Sequence, residues 1–194
     1  MADDSLGKQD SPKNVRAPSL AGLTWPESGY PFYYCVIKEK RESKEKTFDL
    51  LDNSVLEIFD EGEAPTFKDL VEVLKLLPHL GCHTIYSIIE ERYLTYIRSF
   101  NNWKRKERVS LSLKQTKSSS FEASLITVKE LIGDKRLIFP AESMIKSQLT
   151  IFSKASLKDQ TASYAVKAMT MVIDAFQKKE KAVEEEVPSM KAWW

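Results

Sequence analysis

Two adjacent carboxylates, Glu90 and Glu91, close a compact apolar run at residues 84–89. The run has few polar residues, as expected of a central strand that is covered on both faces of its sheet. Two carboxylates at the end of such a strand are costly unless they lie at a rim or bind something positive. The sequence therefore predicts an active or binding edge here, although either carboxylate could instead pair with Arg92 or remain solvated.

A basic cluster ends the next segment, whose apolar residues at positions 93, 94, 97 and 100 have helical spacing. These cations could contact phosphates while the neighbouring indole stacks on a base. A second basic patch lies around the end of the first predicted strand. It consists of Lys38, Lys40, Arg41, Lys44 and Lys46. Because runs of charge are usually solvated faces, both interpretations stay open. The candidate nucleic-acid-binding residues are Lys40, Arg41, Trp103, Lys104, Arg105, Lys106, Arg108, Lys114 and Lys117.

A His-x-x-Cys-His cluster is formed by His79, Cys82 and His83, around Gly81. No second ligand pair stands at a spacing suitable for zinc, so we interpret the cluster as a structural turn. Cys82 and the second cysteine, Cys35, fall in or at the entrance of predicted strands. Without a secretory segment ahead of them, both are expected to be small buried residues in a reducing compartment.

The length and composition predict one domain. The chain has 194 residues, of which 42% are hydrophobic and 10% aromatic, and this suits an ordinary globular core. Its 29 basic and 28 acidic residues give a net charge of +1, so a polyanionic partner can be inferred only from local patches. No apolar run approaches the length of about 18 residues that spans a bilayer, and we expect a soluble protein without a transmembrane segment.

The periodicity predicts a β-meander followed by alternating helices and strands. This order builds an α/β fold with a mixed five-stranded sheet and helices on both faces. We expect a flexible leader at 1–24, a single α/β domain at 25–178, and a charged flexible tail at 179–194 that ends in Trp193 and Trp194. Strands are predicted at 32–39, 47–52, 54–60, 84–89 and 109–113, with a short edge strand at 136–139. Helices are predicted at 66–77, 92–106, 119–132, 144–152 and 156–176.

This order of elements resembles the ribonuclease H-like (RNase H-like) fold. The second half resembles, more specifically, the nuclease domain of viral large terminases, the motors that cut and package phage genomes. The residues that carry the resemblance are the acid-ended strand at 85–91, the strand and serine run at 109–120, the turn into an edge strand at 133–140, and the segment at 148–160. The similarity covers roughly residues 32–178.

The resemblance implies a metal-dependent nuclease site in which carboxylates hold Mg²⁺ or Mn²⁺ ions and activate a water. The ligands would be Glu39 after the first predicted strand, Glu90 or Glu91 after the fourth, and Asp159 at the start of the last helix. Of these, Glu39, Glu90 and Asp159 would be catalytic. The motif is incomplete, because Lys38 stands where the family has an aspartate and Asp159 is the acid that remains of the last motif. Asp159 is also well explained as the capping acid of its helix.

The resemblance thus implies a nucleic-acid-associated protein, either a terminase-type endonuclease or a catalytically degenerate relative of one. The alternative is a non-catalytic viral structural or assembly protein, scaffold-like or matrix-like. It would bind nucleic acid, a viral assembly or packaging partner, or a membrane surface through the basic patches. Either protein would act inside the host cell, in its cytoplasm, or in association with the virion.

Overall fold

A computed structural model describes residues 19–27, 29–40, 54–116, 121–151 and 164–186. This part of the chain contains six strands and five helices. The strands are β1 (Ser19–Thr24), β2 (Phe32–Lys40), β3 (Val55–Ala64), β4 (Cys82–Ser87), β5 (Ser112–Gln115) and β6 (Leu137–Ile138). The helices are α1 (Phe67–Leu76), α2 (Leu94–Lys106), α3 (Phe121–Gly133), α4 (Met144–Ile151) and α5 (Tyr164–Glu186), with 3-10 turns at Leu77–Leu80 and Glu91–Tyr93.

All six strands form one mixed sheet in the order β5-β4-β1-β2-β3-β6. Strands β1, β2 and β3 are an antiparallel meander, whereas β4 and β5 run parallel to β1, and β6 runs parallel to β3. We call the side where β1, β4 and β5 end the carboxyl edge, and the side where they begin the amino edge. The predicted α/β class with a mixed sheet is confirmed, but the sheet has six strands instead of five.

An apolar core lies on each face of the sheet. Helices α3, α4 and α5 cover one face, where Leu20, Ile37 and Ile58 point into the first core. Helices α1 and α2 cover the other face, where Ala21, Val36 and Ile85 point into the second. The predicted placement of helices on both faces is therefore confirmed, and it explains why the central strands are apolar without alternation.

The structure corrects the start of the predicted domain, because residues 19–24 of the predicted leader form the central strand β1. All six of its residues are buried. The predicted first strand is therefore the second, β2. The segment Ser-Leu-Ala-Gly-Leu-Thr has no period-2 pattern because both of its sides face apolar cores, and so it resembles an irregular stretch in the sequence. The strand predicted at 47–52 lies outside the described residues.

Helix α1 begins where the sequence predicts. The Thr66 hydroxyl accepts a hydrogen bond from the backbone N–H of Asp69, and the Asp69 carboxylate accepts one from the backbone N–H of Thr66. This reciprocal capping box satisfies two N–H groups that a helix start leaves unpaired. Past the helix, Gly81 adopts a φ of 76° and turns the chain into β4. The predicted structural turn at this glycine is thus confirmed.

Helix α5 crosses β1 at very close range. A Cβ atom at Gly22 would lie 2.0 Å from the carbonyl oxygen of Ala168 and 3.0 Å from a methyl group of Val172. Only a glycine lets the helix backbone approach the strand this closely. The helix continues to Glu186, so residues 179–186 of the predicted flexible tail are helical. Within the described residues, no helix is long and apolar enough to cross a membrane.

Candidate functional site

The predicted active edge lies at the carboxyl edge of the sheet, just beyond β4. Glu90 follows β4 after two intervening residues and is itself followed by the turn at Glu91–Tyr93. Its carboxylate accepts a hydrogen bond from Arg92, with 2.7 Å between Nε and Oε2. The pairing of Glu90 with Arg92, one of the two alternatives to a binding edge, is therefore confirmed. Glu91 is exposed.

Arg92 also bonds to a second carboxylate that the sequence analysis missed. Its Nη1 donates to Oε1 of Glu27, which lies beyond the end of β1. The Tyr93 hydroxyl donates to Oε2 of the same carboxylate at 2.9 Å. The guanidinium therefore joins the ends of β1 and β4 through two charge-assisted pairs. At this edge, the positive group that the carboxylates bind is supplied by the protein itself.

Two further hydrogen bonds join the ends of β1 and β4. Trp25 donates from Nε1 to the carbonyl of Ile88 at 2.8 Å, and Ser87 donates from Oγ to the carbonyl of Leu23 at 2.7 Å. Between these residues and α5 lies a cavity of about 30 Å³. That is room for about two water molecules. A pair of divalent ions about 3.5–4 Å apart, with a phosphate between them, requires more space.

Glu39 lies at the amino edge of the sheet, whereas Glu90 lies at the carboxyl edge. Its neighbour Lys38 pairs with Ser19 at the start of β1, and Ser19 pairs with Cys82 at the start of β4. The length of β4 therefore separates Glu39 from Glu90, and at about 3.3 Å per residue this is more than about 15 Å. Because β2 runs antiparallel to β1, its end lies at the amino edge. The structure thus does not bring Glu39 and Glu90 into a common site.

The third predicted ligand, Asp159, lies outside the described residues. Among the residues that the structure does describe, no three His, Cys, Asp or Glu side chains come together as ligands for a metal ion. Glu90 and Glu27 share one guanidinium, and Glu39 is buried at the other edge. These described residues do not fit a two-metal site.

The basic cluster ends α2 at the amino edge, far from Glu90. Helix α2 starts beyond β4 and returns to the beginning of the parallel strand β5, so its 13 residues span about 20 Å across the sheet. Lys104 is half-buried, whereas the side chains of Arg105, Lys106 and Arg108 are exposed. The structure therefore presents the predicted basic cluster to solvent, but away from the predicted acidic site.

Trp103 does not stand clear of the protein beside these cations. Its ring is half-buried against Phe100, with 5.9 Å between the centroids, and packs against the core under α2. Its Nε1 is enclosed without a hydrogen-bond partner among the described residues. The amphipathic helix therefore directs this indole partly inward, and its stacking on a base stays a prediction.

The second basic patch is only partly described. Lys40 forms an ion pair with Glu57 at 3.0 Å, and Lys38 lies over the ring of Phe59, 5.7 Å from its centroid. Arg41 of this patch lies outside the described residues. Lys114, downstream of the first cluster, is exposed on the edge strand β5, and Lys117 lies outside the described residues. Of this patch, Lys38 and Lys40 lie at the amino edge, on the same side of the sheet as the end of α2.

Tyr93 is buried at the carboxyl edge and Tyr34 is half-buried on β2, and we expect both to make stability fall at alkaline pH. Burial, and then its hydrogen bond to Glu27, raises the pKa of Tyr93. Burial and the adjacent Asp60 raise the pKa of Tyr34 to about 12. An unfolded tyrosine ionises near pH 10. Raised folded pKa values therefore give stability that is complete below pH 10 and is lost as the pH rises toward the folded pKa.

Phenolate absorbance at 295 nm tests this expectation. A fraction of the seven tyrosines should resist ionisation near pH 10 and then ionise together with the loss of the circular dichroism signal. The Tyr93→Phe variant should remove one such late-ionising group. A single titration of all seven near pH 10, with the fold intact, would contradict the burial described above.

The fold and the described site define an α/β protein built on a six-stranded mixed sheet, with Glu27 and Glu90 paired to Arg92 at the carboxyl edge and a cluster of cations at the amino edge. No protein-family model matches the chain, and no curated protein matches it significantly.

Proposed function

We propose that this protein binds nucleic acid through an RNase H-like scaffold on which the hydrolytic site is not assembled. The meander β1–β3 followed by alternating helices and strands supports the RNase H-like layout. This is the order on which the resemblance to terminase nuclease domains rests. Of the functions that the resemblance implies, we favour the catalytically degenerate one.

The observation that carries the proposal is the direction of the strands. With β1 as the first strand, the position for which the resemblance implies an aspartate falls at the carboxyl edge, where β1 ends in Thr24. The acid nearest that strand end is Glu27, and it is held by Arg92. Glu39 is at the other edge, so it does not replace the missing aspartate. Hydrolysis would need carboxylates that are free to bind metal.

The exposed cations at the end of α2 support nucleic acid as the partner. Among the described residues, no carboxylate lies within ion-pair distance of Lys104, Arg105 or Lys106. These cations also interact favourably with the negative end of the helix dipole, because they lie in the last turn of α2. Three adjacent unpaired cations nevertheless suit the regular charges of a phosphate backbone.

Binding can be measured by fluorescence anisotropy with a labelled 20-base-pair DNA duplex and its single strand at several salt concentrations. Replacing Lys104, Arg105 and Lys106 together by alanine should weaken binding. It should also reduce the slope of log affinity against log salt by roughly two to three, about 0.9 for each lost phosphate contact. The matched control replaces three exposed lysines elsewhere, Lys68, Lys129 and Lys146. An equal loss in this control would show that only net charge matters.

Cleavage is tested separately with supercoiled plasmid and Mn²⁺. We expect no nicking by the unmodified protein and no difference in the Glu90→Ala variant. Nicking that depends on Mn²⁺ and disappears in Glu90→Ala would show that the protein is an active nuclease and not a catalytically degenerate one. If no nucleic acid binds at low salt, the proposed function is wrong altogether.

A further inference from the structure

The described residues include two non-glycine positions with positive φ, and both are basic. Arg108 has a φ of 54° and Lys135 a φ of 58°. Side chains rarely adopt this left-handed conformation because the Cβ atom crowds the backbone, and glycine usually takes it instead. A strained backbone kept at a non-glycine residue is a reason to examine what its side chain does.

Each of these residues ends a helix in the same way. After α2, the N–H of Val109 donates to the carbonyl of Lys104 at 3.1 Å, so Arg108 occupies the left-handed position of a Schellman cap. After α3, the N–H of Arg136 donates to the carbonyl of Leu131 at 2.7 Å, and Lys135 occupies the equivalent position. Glycine is the usual residue there, so both caps hold a long cation at a conformational cost.

The topology brings both caps to the amino edge. Helix α2 returns to the start of β5, and α3 returns to the start of β6, which runs parallel to β3. Strands β5 and β6 are the two outermost strands of the sheet. Five inter-strand spacings of about 4.8 Å separate them, so the starts of β5 and β6 lie about 24 Å apart along the edge. That length of duplex carries about 14 phosphates. The cap of α2 lies toward one face of the sheet and the cap of α3 toward the other.

Some of the cations at this edge have carboxylate partners among the described residues, and others do not. Within the described ranges, neither Arg108 nor Lys135 forms an ion pair, in contrast to Lys40 and Lys75, whose partners are Glu57 and Glu72. Two acids lie beside the caps, Glu107 and Asp134, and they reduce the local charge. The charged groups of Arg108 and Lys135 are therefore exposed and not held in an ion pair within the described residues.

We propose that the amino edge as a whole, from Arg108 to Lys135, is the surface that contacts the phosphate backbone of a nucleic acid duplex. This proposal rests on the proposed function and extends it from the end of α2 to the far side of the sheet. The two cap cations reach the backbone from the ends of α2 and α3, and the cluster Lys104–Lys106 contacts it beside Arg108. The carboxyl edge, closed by Arg92, takes no part.

The test separates folding from binding. Replacing a non-glycine residue by glycine at a left-handed position relieves backbone strain, so Arg108→Gly and Lys135→Gly should unfold at the same or a higher temperature than the unmodified protein. Both should nevertheless bind the 20-base-pair duplex roughly five- to tenfold more weakly at 0.1 M salt. Arg108→Lys, which keeps the charge, should bind close to normally. Lys68→Ala, at the start of α1 beyond the end of β3 and therefore at the carboxyl edge, should leave binding unchanged.

Each alternative outcome is decisive. If Lys135→Gly binds as tightly as the unmodified protein while the Lys104–Lys106 variant does not, the edge-wide surface is wrong and the proposed function stands. If the unmodified protein binds the single strand but no duplex, the edge-wide surface is wrong and the proposed function stands, whereas both proposals fall if it binds neither. Binding to phosphatidylserine vesicles in preference to the duplex, with the same dependence on Arg108 and Lys135, would assign the edge to a membrane and overturn the inference.

Discussion

The Gly22→Ala variant is expected to be destabilised by about 3 kcal/mol or more. The new methyl group would lie 2.0 Å from the carbonyl oxygen of Ala168 and 2.7 Å from its carbonyl carbon, both in the backbone of α5. Neither atom belongs to a flexible side chain, so α5 must shift as a body and disturb the packing under it. Overpacking a tight core typically costs about 1–3 kcal/mol, and a clash with backbone lies at or beyond the upper end.

Urea denaturation followed by circular dichroism measures this loss. Such a loss corresponds to a fall in Tm of roughly 6–12 °C for a domain of this size. Gly133→Ala is the matched control, because the new methyl group would meet no atom within 4 Å beyond its chain neighbours and its own helix backbone, and the residue ends a helix without positive φ. Equal stability of both variants would show that α5 does not approach β1 as closely as described.

The Trp25→Ala variant is expected to lose about 3–5 kcal/mol, the usual cost of removing a buried large aromatic ring. The Trp25 side chain is 2% exposed. It stacks on Tyr96 with 6.2 Å between centroids and meets Phe32 edge-on at 6.3 Å. Its Nε1 also bonds to the carbonyl of Ile88, so the variant leaves that carbonyl without its indole partner.

The Trp25→Phe variant separates the contribution of the buried ring from that of the hydrogen bond to Ile88. The phenyl ring keeps most of the buried surface but cannot donate to Ile88, so we expect a loss near 1–2 kcal/mol, mostly from the missing hydrogen bond and the smaller ring. Thermal unfolding of both variants measures the difference. A Trp25→Phe variant as unstable as Trp25→Ala would show that the hydrogen bond, and not the ring, holds the ends of β1 and β4 together.

The two variants also bear on the proposed function. Gly22 sets the position of α5, and Trp25 ties β1 to β4 at the carboxyl edge. Neither residue lies at the amino edge, so folded protein of either variant should bind the duplex with unchanged affinity. Loss of binding in proportion to the unfolded fraction agrees with this view. Loss of binding by fully folded Trp25→Phe would instead assign the interface to the carboxyl edge.

Local patterns in the sequence predicted the elements whose signals are local. The capping box of Thr66 and Asp69, the turn at Gly81 and the apolar spacing of α5 all depend on residues within a few positions of one another. The strand before Glu90 was predicted from its apolar run. Strand β1 was missed, since a strand buried on both faces carries no alternating pattern and its glycine resembles a loop residue.

The candidate site was predicted less well, because it depends on contacts between distant residues. Glu27 and Arg92 are 65 positions apart, and nothing in the sequence indicates that they meet. The pairing of Glu90 with its neighbour Arg92 was within reach of sequence reasoning. The placement of Glu39 was not, since one missed strand reversed the direction of the next and moved its end to the opposite edge.

By itself, the sequence determined the α/β class, the exposed basic cluster at the end of α2 and the burial of both cysteines. These features follow from the overall composition and from the periodicity of residues that are close together in the sequence. Only the tertiary structure decided which side chains share an edge, since that depends on strand order and direction. The sheet gathers Lys104, Arg108 and Lys135 at one edge and leaves the carboxylates of Glu27 and Glu90 bound to a guanidinium at the other.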